Sequence, residues 1–225
     1  MSIKTKTKAK TSALRPRPRS RPQKNGLERS RDQDRGLEDY IPACFYQLRR
    51  LRQICRPVGQ ELVSQLVHSF VLSRLDYGNS VLASLPKSAI MPLQRVQNAA
   101  ARLILDLRMN EHVTPALRQL HWLPVDLRVD YKLCTMMHSI HTGQCPKYSA
   151  DMVRSVAANS TRSGLRSTHT AQYQLPRCRT AIGKRAFSYA GPHAWNALPP
   201  FLHNITDSKQ FRKQLKTYYF SRAFS

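Results

Sequence analysis

The chain has 225 residues, 41% of them apolar, which is enough for one or two domains with a core. Lys and Arg number 37 against 13 Asp and Glu, a formal net charge of +24 that favours an anionic partner, nucleic acid before anionic membrane. A bilayer-spanning helix is excluded, since no apolar run approaches the ~18 residues it needs, and no secretory signal is expected without an apolar stretch behind the N-terminal charges.

Residues 1–40 read as a disordered, basic, low-complexity arm. Residues 1–24 hold nine Lys/Arg and no acid. Alternating Lys-Thr at Lys4–Lys8 and Arg-Pro at Arg15–Arg19 offer almost nothing apolar to offset the entropy of ordering. Arg-Pro alternation favours an extended chain. Such an arm suits nuclear targeting or nucleic acid, but translated simple-repeat sequence would look the same.

From Ala43 the pattern turns helical, and residues 41–156 are expected to form a helical domain. Phe45, Leu48 and Leu51 mark the first helix, decorated by Arg49, Arg50, Arg52 and Arg56 and stopped by Pro57. In the second, Leu62, Leu66 and Phe70 run beside Val63, Val67 and Val71 as one wide apolar stripe. Tyr77-Gly78-Asn79 suits its C-cap. A third helix starts after Pro86, with a seam at Leu93, Val96, Ala100, Leu103 and Leu107. Arg95, Asn98 and Arg102 share another face, where phosphate contact competes with the commoner solvated surface. A short helix at Leu117–Leu120 precedes a long one from about Asp126 to His141, ended by Gly143 and Pro146. Another short helix is expected between Pro146 and Val156.

Residues 157–225 are expected to form a basic C-terminal segment, irregular up to about residue 200. Tyr173, Leu175, Phe187 and Tyr189 suggest short extended pieces, one hairpin at most. The closing helix is capped by Asp207 or Ser208, with Phe211, Leu215, Tyr218 and Tyr219 on its apolar side and Arg212, Lys213 and Lys216 on its basic side. Residues 131–225 hold 14 Lys/Arg against Asp151 and Asp207, so the charge is not confined to the arm. The fold class is therefore mainly α: a helical bundle, a basic irregular segment and a terminal helix behind the arm.

Several segments together resemble one family. Leu72-Ser73-Arg74-Leu75-Asp76-Tyr77-Gly78-Asn79-Ser80 and Leu93-Gln94-Arg95-Val96-Gln97-Asn98-Ala99-Ala100-Ala101-Arg102-Leu103 carry the resemblance most clearly. Ala43–Arg49, Leu120-His121-Trp122-Leu123-Pro124-Val125, Tyr131–Leu133, His141–Tyr148, Ala190–Pro199 and Ser208–Thr217 follow in order. This combination resembles the region downstream of the polymerase core, the thumb and beyond, in reverse transcriptases of LINE-type, jockey-like non-LTR retrotransposons. The likeness covers about residues 41–223. Gly78 stands where these elements often carry Cys, and residues 1–40 match no part of the family. The resemblance implies a segment that grips template and primer.

Reverse transcription itself needs paired carboxylates to hold two metal ions, and the family supplies them as an Asp-Asp turn. Here the adjacent acids are Glu38-Asp39, inside the arm. No catalytic residue, and no polymerase activity, is assigned to the chain. Cys134, His138, His141 and Cys145 would suit tetrahedral zinc by ligand type. They lack the close pairs of a structural site, so buried side chains are the expected role and no metal or other cofactor is assigned. No nucleophile elbow or glycine-rich phosphate loop exists. His68, inside an apolar stripe, reads as a core histidine. The five cysteines are odd in number, far apart and without a Cys-x-x-Cys pair, which suggests reduced thiols in a nuclear or cytoplasmic protein.

The remaining candidates are cations. Arg162, Arg166, Arg177, Arg179, Lys184 and Arg185 interleave with His169, Tyr173, Phe187 and Tyr189, so charges could track phosphates while rings stack on bases. Trp195 reads rather as a core plug. With Arg95, Arg102, Lys213 and Lys216 they form the expected nucleic-acid-binding set. The favoured reading is a remnant of a LINE-type reverse transcriptase without its polymerase core, binding RNA or DNA weakly and non-specifically, with no membrane and no small-molecule substrate. Two others stand beside it. One is an interaction module packing on a polymerase core in trans or another partner, marked by exposed apolar area on residues 43–107. The other is a relic without a biochemical role.

Overall fold

The computed structural model describes residues 37–156 and 171–225. Residues 1–36 of the arm, with Arg162, Arg166 and His169, lie outside the described residues, while residues 37–40, expected to belong to the disordered arm, form the start of a helix. The described chain, Leu37–Ser225, groups into one compact unit. It is mainly α, with one isolated antiparallel bridge between Ser155 and Tyr173.

Two apolar cores organise the helices. The first is built by α1 (Leu37–Val58), α2 (Gln60–Val67) and α4 (Lys87–Ile104). Cys44, Leu48 and Leu51 recur at steps of four and three, so one stripe of α1 faces α4 and α2. Pro57 sits in the last turn of α1, and Gly59 (φ +80) turns the chain into α2. On α4, Ala100 and Ala101 are fully buried, and their small side chains let α1 lie close. The short α5 (Thr114–Gln119) and Trp122 close this core.

The second helix differs from the wide stripe its sequence suggests. Val63, Val67 and Val71 are buried, but Leu62 and Phe70 are 53% and 45% exposed. The cause is local. After α2 the chain makes a π-helical turn, His68–Leu72, closed by Ser73 N–H donating to the His68 carbonyl, before α3 (Ser73–Asp76). An i→i+5 turn shifts the phase of every later side chain against an α-helical period. The helix then ends as expected: Gly78 is left-handed (φ +62) and opens a 3-10 turn, Asn79–Leu82.

The second core forms around α6 (Val125–His141), which packs against α9 (Phe187–Asn196) and α11 (Ser208–Phe224). Leu133, Cys134 and Met137 of α6 meet Trp195, Leu202, Phe211 and Leu215, so this core draws on residues from both sides of position 156. Between these helices lie α7 (Lys147–Asp151), α8 (Ala181–Arg185) and α10 (Pro200–His203).

Residues 181–203 are the main correction to the sequence reading, which expects them to be irregular or extended. They are largely helical. Thr180 caps α8 by accepting from Gly183 N–H at 3.1 Å. Gly191 and Pro192 look like breakers but lie inside α9. Gly191 is needed there: a Cβ would come within 2.9 Å of Met137 Sδ and 3.0 Å of Phe187 Cε2. Among the described residues, the one part of the expected hairpin that forms is the Ser155–Tyr173 bridge, through Val156 N–H to the Gln172 carbonyl and Gln174 N–H to the Arg154 carbonyl. No described helix is long and apolar enough to cross a membrane.

Candidate nucleic-acid interface

The packing of α1 on α4 creates a basic groove. Arg49 and Arg52 lie one turn apart on α1, and Arg95 and Arg102 two turns apart on α4, so each pair projects from one side of its helix. All four line a cavity of about 500 Å³. Its apolar floor includes Phe45, Leu48 and Met109, with Asn98 beside them. Phe45 and Met109 are both exposed, leaving apolar surface next to the guanidinium groups.

The charges in this groove are not neutralised internally. Among the described residues the one ion pair joins Arg128 to Asp76, and no carboxylate lies within bonding distance of the four arginines. Arg102 donates through Nη2 to the Glu111 carbonyl at 3.1 Å, which fixes its head group. Its Nε is buried without a hydrogen-bond partner among the described residues. Four cations on a concave surface concentrate positive potential more than the same charges on a convex one. Guanidinium groups match phosphate oxygens two at a time. The arrangement can hold a phosphodiester backbone, with Phe45 and Met109 against a sugar or base.

The other expected residues are dispersed. Arg177 lines a separate cavity of about 550 Å³ with Arg154, Met152 and Leu175. Arg179 and Lys184 are exposed near α8, while Arg185 is half-buried with its Nε unpartnered. On α11, Lys213 faces solvent, and Lys216 reaches a further cavity with Arg128 and Lys132. The structure thus joins Arg95 to Arg102 but does not gather the described C-terminal cations into one patch with them.

The expected stacking surface also changes. Tyr173 is buried at 8% exposure and serves the second core. Its backbone is bound by Asn196, and its ring stands edge-on to Trp195 at 6.4 Å. Tyr189 stacks on His193 at 5.9 Å. Trp195 is fully buried and donates Nε1–H to the Ala171 carbonyl at 2.8 Å, so it is the core plug its spacing suggests.

Cys134, His138 and His141 are engaged elsewhere, and Cys145 is a half-buried free thiol. Cys134 Sγ meets the Tyr219 hydroxyl at 3.3 Å, and burial pushes its pKa up to about 12. His138 stacks on Phe211 at 4.0 Å and hydrogen-bonds the Ile205 carbonyl at 2.8 Å. His141 approaches Tyr173 OH at 3.4 Å. Among the described residues no cluster of three or more ligating side chains is placed to hold a metal ion. His68 is exposed, not a core histidine as its stripe suggests, and its ring stands perpendicular to Trp122 at a centroid distance of 5.4 Å.

Arg49 and Arg52 belong to the groove although the sequence reading leaves them as helix decoration. Their spacing places them on one face, but nothing local says that this face borders Arg95 and Arg102, which lie more than forty residues away. No family model, no curated protein and no solved structure matches the chain.

Proposed function

We propose that the chain binds single-stranded or hybrid nucleic acid, weakly and without sequence preference, through the arginine groove between α1 and α4. The observation that carries this reading is the convergence of Arg49, Arg52, Arg95 and Arg102 on one concavity with an apolar floor and no carboxylate partner among the described residues. Phosphate contacts supply most non-specific affinity, and exposed apolar side chains tolerate any base. Arg49, Arg95 and Arg102 lie in the segments that resemble the region following the polymerase core of LINE-type reverse transcriptases, where a grip on template and primer is the expected task. The reading assigns no catalytic step, metal or cofactor to this chain. A nuclear or cytoplasmic location goes with it, supported by five free cysteines.

The test is binding of the full chain to single-stranded RNA, single-stranded DNA and an RNA–DNA hybrid across a salt series. Micromolar affinity that falls steeply with salt is expected. Absence of binding at low salt by a folded sample would sink the proposal.

A second reading has its own observation. Tyr46, Ile54, Leu62, Phe70, Tyr77 and Val81 are large, apolar and exposed. Surface of this kind on α1 to α3 favours packing against another polypeptide, a polymerase core in trans being one such partner. Concentration-dependent self-association that Leu62→Ser and Phe70→Ser abolish would favour it.

A further inference from the structure

A second cavity, of about 450 Å³, lies outside the arginine groove, walled by His68, Asn79, Trp122, Arg128, Lys132 and Lys216. Its volume falls in the range of small-molecule sites, roughly 300–1,000 Å³. Its wall departs from regular structure at three separate points. His68 opens the π-helical turn, a rare element that recurs at functional sites. His121, also on the wall, has φ +53, a conformation uncommon for a residue with a side chain. Asn79 is 4% exposed, yet its Oδ1 has no hydrogen-bond partner among the described residues. A buried amide left unpaired is costly, and its presence on a cavity wall points to a partner that arrives from outside.

The wall chemistry narrows that partner. Arg128 is held rigidly: Nη1 donates to both Asp76 oxygens at 2.9 and 2.8 Å, and Nε to the Leu123 carbonyl at 3.0 Å. Among the described residues its Nη2 has no partner. Lys132 and Lys216 are exposed at the rim, on α6 and α11, and leave the mouth positive after Asp76 is matched to Arg128. Partial desolvation, with Arg128 nearby, holds the surface-exposed His68 below the usual imidazole value, so near neutrality the ring offers one donor and one acceptor and no charge. A half-turn about χ2 of Asn79 exchanges its donor and acceptor. The His68 ring stands perpendicular to the buried Trp122 at a centroid distance of 5.4 Å, so Trp122 holds its orientation and His68 offers the exposed ring. A planar, nitrogen-bearing ring with an attached anion fits every part of this wall.

We propose that this cavity takes one unpaired nucleotide of a bound strand, its base against Asn79 and the His68 ring and its phosphate on Lys132 and Lys216. The inference rests on the nucleic-acid reading but concerns a different surface from the arginine groove. It is tested on the full chain by calorimetric or saturation-transfer titration with the four nucleoside 5′-monophosphates, with ribose 5-phosphate as the arm that carries phosphate without a base, and with an oligouridine strand alongside. At least one monophosphate is expected to bind, with ribose 5-phosphate and the Lys132→Ala/Lys216→Ala variant each weaker by roughly tenfold. Arg49→Ala/Arg95→Ala is expected to leave monophosphate binding unchanged while weakening the strand. Strand binding without any monophosphate binding would overturn this inference and leave the proposed function standing. Equal binding of ribose 5-phosphate, or loss of monophosphate binding in the groove variant, would overturn it as well. A strand that fails to bind while a monophosphate binds would overturn the proposed function, and with it the claim that the nucleotide belongs to a strand.

Discussion

Asn196 and Tyr173 exchange two hydrogen bonds. The Asn196 side chain accepts from Tyr173 N–H at 3.0 Å and donates through Nδ2 to the Tyr173 carbonyl at 2.8 Å. The amide thus plays the part of a neighbouring strand, and the adjacent Trp195 adds a third bond to Ala171. Together they pin the segment after residue 170 onto α9. Replacing Asn196 by Ala removes both bonds and strands two half-buried backbone groups. A loss of about 2 kcal/mol is expected. Urea denaturation would show a lower midpoint with unchanged slope; an unchanged midpoint would refute this role.

Gly191 marks the closest approach of α9 to α6. An added Cβ would meet Met137 Sδ at 2.9 Å, and Met137 is fully buried. Gly191→Ala is therefore expected to destabilise by about 1–3 kcal/mol, although Ala is otherwise the better helix former. Relief by a second change, Met137→Ala, would identify the clash as the cause. A more stable G191A would show that the helices adjust freely.

Thiol reactivity should divide along burial. Cys134 is fully buried with its pKa pushed up to about 12, and burial raises Cys44 too, partly offset by Arg74. Cys55, Cys145 and Cys178 are only half-buried. Alkylation of the native chain at pH 8, read by mass spectrometry, is expected at these three and not at Cys44 or Cys134 until the chain unfolds. Early modification of Cys134 would contradict the second core.

Acid should destabilise the fold in a defined window. Desolvation, with His138 and His203 nearby, lowers the pKa of His141; desolvation and Arg128 lower that of His68. In the unfolded chain both return to about 6.5. Below that value the unfolded state binds more protons than the native one, so stability is full above pH 6.5 and falls as pH drops through it. Thermal midpoints from pH 7.5 to 5 would check this, with a smaller drop in His141→Phe. A midpoint rising toward pH 5 would contradict it.

How much of this was legible depended on range. Helices α4, α6 and α11 follow from apolar spacing, and the Asp207 cap accepts from Lys209 and Gln210 N–H as its sequence position suggests. The π-helical turn at His68 was hidden because Val63, Val67 and Val71 keep a four-residue step straight into it. Helix α9 was hidden because Gly191 and Pro192 act as breakers in isolation, and the close approach to Met137 that calls for Gly191 is not visible in the local sequence. The groove needed the pairing of α1 with α4, which no local pattern contains, so Arg95 and Arg102 were found and Arg49 and Arg52 were not. The opposite error at Tyr173 has the same origin: an aromatic beside cations looks like a stacking platform until Asn196 and Trp195 fold over it.

The most direct test of the arginine groove compares two double variants of the full chain on single-stranded RNA across a salt series. Arg49→Ala/Arg95→Ala removes two groove cations, and Lys147→Ala/Lys209→Ala removes two exposed cations elsewhere. The groove variant should lose affinity and lower the salt slope by about 1.4, roughly 0.7 for each single-strand phosphate contact. The control should stay near wild type. Equal losses in both variants, or an unchanged slope in the first, would contradict the groove as the binding surface.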